Sequence, residues 1–302
     1  MKRSICTEQH HDHTDYSQAF KIGVALNVGF VIIEVVFGLL ADSLALLADA
    51  GHNLSDVLGL ILAWGAAYLT QREATDRRTY GWRKSSILAA LFNAIILLVA
   101  IGGIGWEAIR RFNQPSHVAG ATIIWVAAMG VIINGITALL FMSGRKSDLN
   151  IRGAFLHMAA DAGVSAGVVL AGIGIFFTGW QWLDSAVSLL IVAIIFIGTW
   201  GLLKDSFNLA LDAVPRHIDT REVRDYLADL PGVSQVHDVH IWGMSTTEVA
   251  LTAHLVKQGT EDDDSLIAKM KKDLHRRFAI DHITIQWERG EELLNCENSC
   301  ET

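Results

Sequence analysis

SLALLADAGHNLSDVLGLILAWGAAYL, residues Ser43–Leu69, is apolar enough to lie in a bilayer, yet it carries Asp49, His52 and Asp56. A hydrocarbon core of about 30 Å takes roughly 20 helical residues to cross, so these polar groups sit where lipid tails would be. Within the stretch, His52-Asn53-Leu54-Ser55-Asp56 places an imidazole and a carboxylate four residues apart. His157-Met158-Ala159-Ala160-Asp161 repeats that spacing in a second apolar run. Residues four apart stack on one helical face. A carboxylate at the centre of a membrane helix costs about 2.5–3.5 kcal/mol even on the lenient insertion scale. Two such copies are expected to come together, and two nitrogens with two oxygens make a four-ligand set suited to a zinc-like divalent ion.

Outward from this stretch, the chain of 302 residues, 51% of them hydrophobic, holds six candidate spans. They run approximately Ile22–Leu40, Ser43–Leu69, Ser86–Trp106, Ala119–Met142, Ala154–Thr178 and Leu183–Leu203. Lipid offers the backbone no hydrogen bonds, so each is expected to be a helix. The glycines within them suit close helix packing. Arg72, Arg77, Arg78, Arg83 and Lys84 follow the second span, and Arg145, Lys146 and Arg152 separate the fourth from the fifth. Short loops rich in basic residues face the cytoplasm, which puts both termini there; only Arg110 and Arg111 oppose the trend. Glu8–Tyr16 is polar and acidic rather than a cationic start to a signal peptide.

After the sixth span the pattern changes. Asp219-Thr220-Arg221-Glu222 reads as a helix start, running to about Leu230 and stopped by Pro231-Gly232. Val233–Trp242 and Thr247–Val256 alternate as strands, Asp264–Phe278 is an amphipathic helix, and His282–Glu288 is a last strand. The order α-β-β-α-β predicts a small two-layer, ferredoxin-like α/β domain. The expected organisation is an N-terminal tail over 1–17, a six-helix membrane domain over 18–207, the α/β domain over 208–290 and a C-terminal tail over 291–302.

Strand parity puts Val239, Ile241, Leu251, Ala253, Leu255, Ile283 and Ile285 on one face. The opposite face holds His240, His254, His282, Gln286 and Glu288, which form a metal site, a polar sheet face that merely happens to hold histidines, or a dimer contact. His237 has the apolar parity and reads as a core or edge histidine. From Asp212 onward there are 18 Asp and Glu against 10 Lys and Arg. That balance argues against nucleic acid as a partner. Cys6, Cys296 and Cys300 lie in tails placed in the reducing cytoplasm, where a structural disulfide is not expected. Cys296 and Cys300, with His10, His11 and His13, form a candidate metal-capturing tail or a disordered one.

The alternative for the two membrane pairs is a polar network that only ties helices together. Such hydrogen bonds contribute about 0.6 kcal/mol on average, too little to offset two buried carboxylates, so a function is favoured. Asp49 reads as an outer partner of the pairs or as part of the entry path. The lone polar residues Asn27, Glu34, Asn93 and Asn134 read as interhelical hydrogen bonders, with Glu34 the one most worth testing as a proton site. A site of His and Asp without thiolates is labile and proton-sensitive, because imidazole binds metal only when neutral.

The stretches Ser43–Asp56 and Gly153–Asp161, with His237-Asp238-Val239-His240-Ile241-Trp242 and His282-Ile283-Thr284-Ile285-Gln286, resemble the zinc-transporting branch of the cation diffusion facilitator family over nearly the whole chain. The resemblance implies a homodimer of six-helix protomers in a bacterial inner membrane. It implies export of Zn2+, with cadmium, cobalt or iron as further candidate ions, in exchange for protons by alternating access, with His52, Asp56, His157 and Asp161 as the transport site. It further implies Zn2+ bound by His240, His254, His282 and Glu288, and a charge pair between Lys84 and Asp212. The loop over Asp76–Lys84 has no histidine, so the metal that some relatives hold there is expected to be missing. A membrane-anchored zinc sensor without transport is the alternative. A hydrolase is not expected, since no HExxH occurs.

Overall fold

The computed structural model describes residues 17–70, 72–114, 116–142, 149–257 and 263–288; Cys6, the tail histidines, Cys296 and Cys300 lie outside them. Six long helices come first: α1 Ser17–Leu40, α2 Leu44–Thr70, α3 Ser85–Asn113, α4 Gly120–Phe141, α5 Leu149–Thr178 and α6 Trp182–Ala210. Ser85–Phe112, Gly120–Leu140, Phe155–Thr178 and Trp182–Ala210 are each long and apolar enough to cross a membrane, and Val24–Leu40 adds a shorter apolar helix. Ile32, Leu40, Val99, Trp125, Phe177 and Ile197 stand exposed on these helices. In water such patches would aggregate; in lipid they are the solvated surface. Then follow α7 Thr220–Ala228, β1 Val233–Gly243, β2 Val249–Lys257, α8 Asp263–Phe278 and β3 His282–Glu288. The chain divides into two compact units. One gathers α1, α4, α5, α2 as far as Val57, and α3 and α6 between Ala100 and Ile195; the other holds the rest of α2, α3 and α6 together with α7 to β3.

In the first unit, the α1–α2 turn places Asp42 in the left-handed region, φ 52°. Arg111 on α3 clasps it, donating to Asp42 O and Oδ1 at 2.7 Å each and to Glu107 Oε1 at 3.0 Å. The basic pair that opposed the loop-charge trend is thus neutralised locally, since Arg110 also donates to Glu107 at 2.9 Å. The start of α2 has orphan backbone donors, and Asp184 from the first turn of α6 meets them. Its carboxylate accepts from Leu44 N at 2.8 Å, Ala45 N at 3.3 Å and Ser43 Oγ at 2.5 Å. Gly130 lets α4 approach closely: a Cβ there would lie 2.5 Å from Phe30 Cζ and 2.9 Å from Ser165 Oγ.

In the second unit, Asp219 caps α7 by accepting from Arg221 N at 2.8 Å. The sheet order is β1-β2-β3, with β1 antiparallel and β3 parallel to β2. The parallel pair requires a crossover, and α8 supplies it. Relative to a full β-α-β-β-α-β fold, no strand precedes α7 among the described residues, and β3 pairs alongside β2. Val223 and Leu227 from α7, Met270 and Leu274 from α8, and Leu251 and Leu255 from β2 are completely buried between the layers. Tyr226 of α7 donates to Asp273 of α8 at 3.2 Å; burial, then the Asp273 charge, push its phenol up to about 12. Lys84 donates to Asp212 at 2.7 Å across two half-exposed side chains, a pair of the kind that contributes about 0–1 kcal/mol.

Candidate metal centres

The helical spacing of four does in α2 and α5 what the sequence required of it, and the two faces meet. His52 Nε2 lies 3.1 Å from Asp161 Oδ1 and 3.8 Å from Asp56 Oδ2. His157 Nε2 lies 3.1 Å from Asp56 Oδ2 and 3.7 Å from Asp161 Oδ2. Imidazole and carboxylate therefore alternate around a closed ring. The imidazoles stand edge to face, their centroids 6.0 Å apart. A tetrahedral zinc with bonds of about 2.0–2.1 Å keeps its ligand atoms about 3.3 Å from one another. The ring edges bracket that value. His52, Asp56 and Asp161 offer ligand atoms within 4.8 Å of one another, and His157 adjoins them through Asp56 and Asp161.

Exposure is graded across the ring. The Asp161 side chain is 3% exposed, His52 24%, Asp56 31% and His157 44%. Asp161 forms the floor and His157 the open rim. Polar groups behind the ring orient the helices that carry it. Ser165, one turn beyond Asp161, donates to Asp49 Oδ2 at 2.9 Å, and Asn53 donates to Glu34 Oε2 at 2.9 Å. Ser165 was not singled out by sequence, because a serine in a membrane helix has no distinguishing spacing of its own.

On the sheet, a bulge rearranges the expected set. Asp238 takes φ 51° and the β1–β2 register shifts between His237 and His240, so His237 pairs with His254 and His240 with Thr252. Residues opposite one another share a face, so the inserted residue brings His237 onto the same face as His240. His237 Nε2 lies 3.0 Å from Glu288 Oε2, and His254 Nδ1 lies 3.0 Å from Glu288 Oε1. These three residues offer ligand atoms within 4.8 Å of one another. Asp238 reaches His240 Nε2 at 2.9 Å and His254 Nε2 at 3.5 Å. His282 stands apart and accepts from Arg83 Nη1 at 2.9 Å, the same nitrogen that donates to Glu248 at 2.8 Å. Of the expected four, His254 and Glu288 are together, His240 joins through Asp238, and His282 is held by a guanidinium. His237 is the residue that parity misplaced; an aspartate inside a β run, a type that tolerates positive φ, was the available signal.

Residues 20–209 match the family model described as the cation efflux transmembrane domain, and residues 215–290 that described as the cation efflux protein, cytoplasmic domain. The metal cation efflux system protein CzcD of Cupriavidus metallidurans is 38% identical over 96% of this chain and 91% of its own. The zinc transporter ZitB of Escherichia coli is 36% identical over 93% and 90%. The cadmium, cobalt and zinc/H(+)-K(+) antiporter of Bacillus subtilis is 33% identical over 92% and 91%. A solved metal-bound C-terminal domain of CzcD is 33% identical, covers 24% of this chain and 99% of its own, and has a TM-score of 0.22.

Proposed function

Because this chain belongs to the cation efflux family, whose members are membrane transporters and not enzymes, we propose that it exports Zn2+ from the cytoplasm in exchange for protons. The observation that carries this reading is the closed ring of His52, Asp161, His157 and Asp56, whose imidazole nitrogens and carboxylate oxygens lie 3.1 to 3.8 Å apart, with no thiolate to make it a permanent site. Neutral imidazoles bind the ion at cytoplasmic pH. Where protons are abundant they compete for the same nitrogens, and the ion leaves. Alternating access then follows from rocking of the helices around a fixed midplane site. Cadmium and cobalt, carried by relatives according to their names, suit the same donors.

The remaining features belong to the same reading. All six long helices span the inner membrane with both termini cytoplasmic, as the loop charges require, over a membrane domain of about residues 18–207. The protein acts as a homodimer through the α/β domain at about 208–290. That domain binds Zn2+ through His237, His254 and Glu288, with Asp238 and His240 at the rim; His282 adds to the set only when Arg83 releases it.

The test is zinc flux into vesicles containing the full chain under an imposed pH gradient. The expected result is gradient-driven flux in the wild type and loss by at least a hundredfold, on the order of the effect of removing an essential charged group, in Asp56→Asn and Asp161→Asn. Flux that persists in both variants overturns the proposed site. Metal-dependent conformational change with no flux in the wild type makes the chain a sensor instead.

A further inference from the structure

Behind the ring, two more carboxyl groups are buried. Glu34 on α1 and Asp49 on α2 are both 0% exposed. One oxygen of each is held by a neutral donor, Asn53 for Glu34 and Ser165 for Asp49. The other oxygen of each, Glu34 Oε1 and Asp49 Oδ1, is buried and receives no hydrogen bond from any described residue. Asn53, which holds Glu34, stands four residues after Asp49 on the same face of α2, so α2 carries both the Asp49 carboxyl and the donor to Glu34 on one side. Ionised carboxylates only accept, so two of them can be joined only through a proton, and two adjacent bare charges in a low-dielectric interior repel strongly. Among the described residues no Lys or Arg reaches either group. The titratable groups that face the pair are Asp161 from α5 and His52 from α2, both members of the ring, while the pair's own hydrogen bonds go to Asn53 and Ser165 instead.

We propose that Glu34 and Asp49 share one proton, and that this proton is released when a divalent cation loads the His52/Asp56/His157/Asp161 ring and is regained when the cation leaves. The inference rests on the exchanger reading above and gives the counter-ion a place of its own. Loading adds two positive charges beside Asp161, which favours the doubly ionised pair. The O–H bond breaks, its electron pair stays on the carboxylate oxygen, and the proton passes to water. Unloading reverses each change. The pair is thus a proton-binding site formed by residues that do not touch the metal, and it ties α1 to the occupancy of α2 and α5.

Two measurements on the full-length protein in detergent test this. Calorimetric zinc titrations in buffers of different ionisation enthalpy count the protons released on binding. The expected result is that Glu34→Gln and Asp49→Asn still bind zinc but release about one proton fewer than the wild type. Infrared difference spectra, zinc-loaded minus metal-free, are expected to lose a protonated-carboxyl band in the wild type and to show no such loss in either variant. If wild-type zinc binding releases no protons, the exchanger reading itself fails. If the wild type releases protons and both variants release the same number and keep the band, the exchanger stands and the carboxyl pair is overturned. Should neither variant fold, Asn53→Ala keeps both carboxyls while removing the donor to Glu34. A shift of the band is then expected, and an unshifted band overturns the proposal.

Discussion

At Asp238 the backbone enters the left-handed region inside an otherwise extended strand, and the candidate ligand set of the sheet changes with it. A period of two counts residues but not bulges, so parity grouped His240, His254, His282 and Glu288 correctly on one face and left out His237. Distance then divides that face: His237 and His254 share the two oxygens of Glu288, while His282 faces a cation. In the full chain carrying Asp161→Asn, His237→Ala is expected to weaken zinc binding by at least about tenfold, more than loss of a mild outer-shell partner causes. His240→Ala is expected to leave affinity within about threefold, since only Asp238 connects it to the cluster. Competition against a chromogenic chelator measures both. Equal losses would place the metal at the rim rather than between His237, His254 and Glu288.

Element boundaries show a different limit of sequence reading. The third span was expected to end at Trp106, where the charges begin, but α3 continues to Asn113. Glu107, Arg110 and Arg111 stand at helical spacings of three and four and pair along the helix, so hydropathy located the membrane thickness rather than the helix end. Packing between helices was less legible still. Gly130 and Gly29 look alike in sequence. A Cβ at Gly130 would collide with Phe30 and Ser165, whereas at Gly29 nothing lies within 4 Å. Gly130→Ala is expected to destabilise the protein by about 1–3 kcal/mol, the usual effect of overpacking, and to slow zinc flux by displacing Ser165 from Asp49. Gly29→Ala is expected to do neither. Thermal unfolding in detergent, alongside vesicle flux, separates the two; equal behaviour would mean that α4 can simply shift away.

For the whole molecule, the two candidate centres lie in separate units, the ring in one and the His237, His254 and Glu288 cluster in the other. Titration of the full chain is expected to show about two ions per protomer, falling to about one in Asp161→Asn and, through the other site, to about one in His254→Ala. A single class lost in either variant would refute two independent sites. Binding at the membrane ring is expected to weaken as pH falls, because protonated histidine is no ligand. The sequence by itself determined the membrane class, the α-β-β-α-β order of the soluble end and the four residues of the ring. Each rests on a local regularity: an apolar run, a period of two, a spacing of four. Only the tertiary structure decided that His237 stands beside Glu288 while His282 does not, that Asp184 closes the start of α2, and that Asn53 holds Glu34 and Ser165 holds Asp49. Those contacts join residues far apart in the chain through a bulge or a helix crossing, and no local periodicity encodes where two distant surfaces meet.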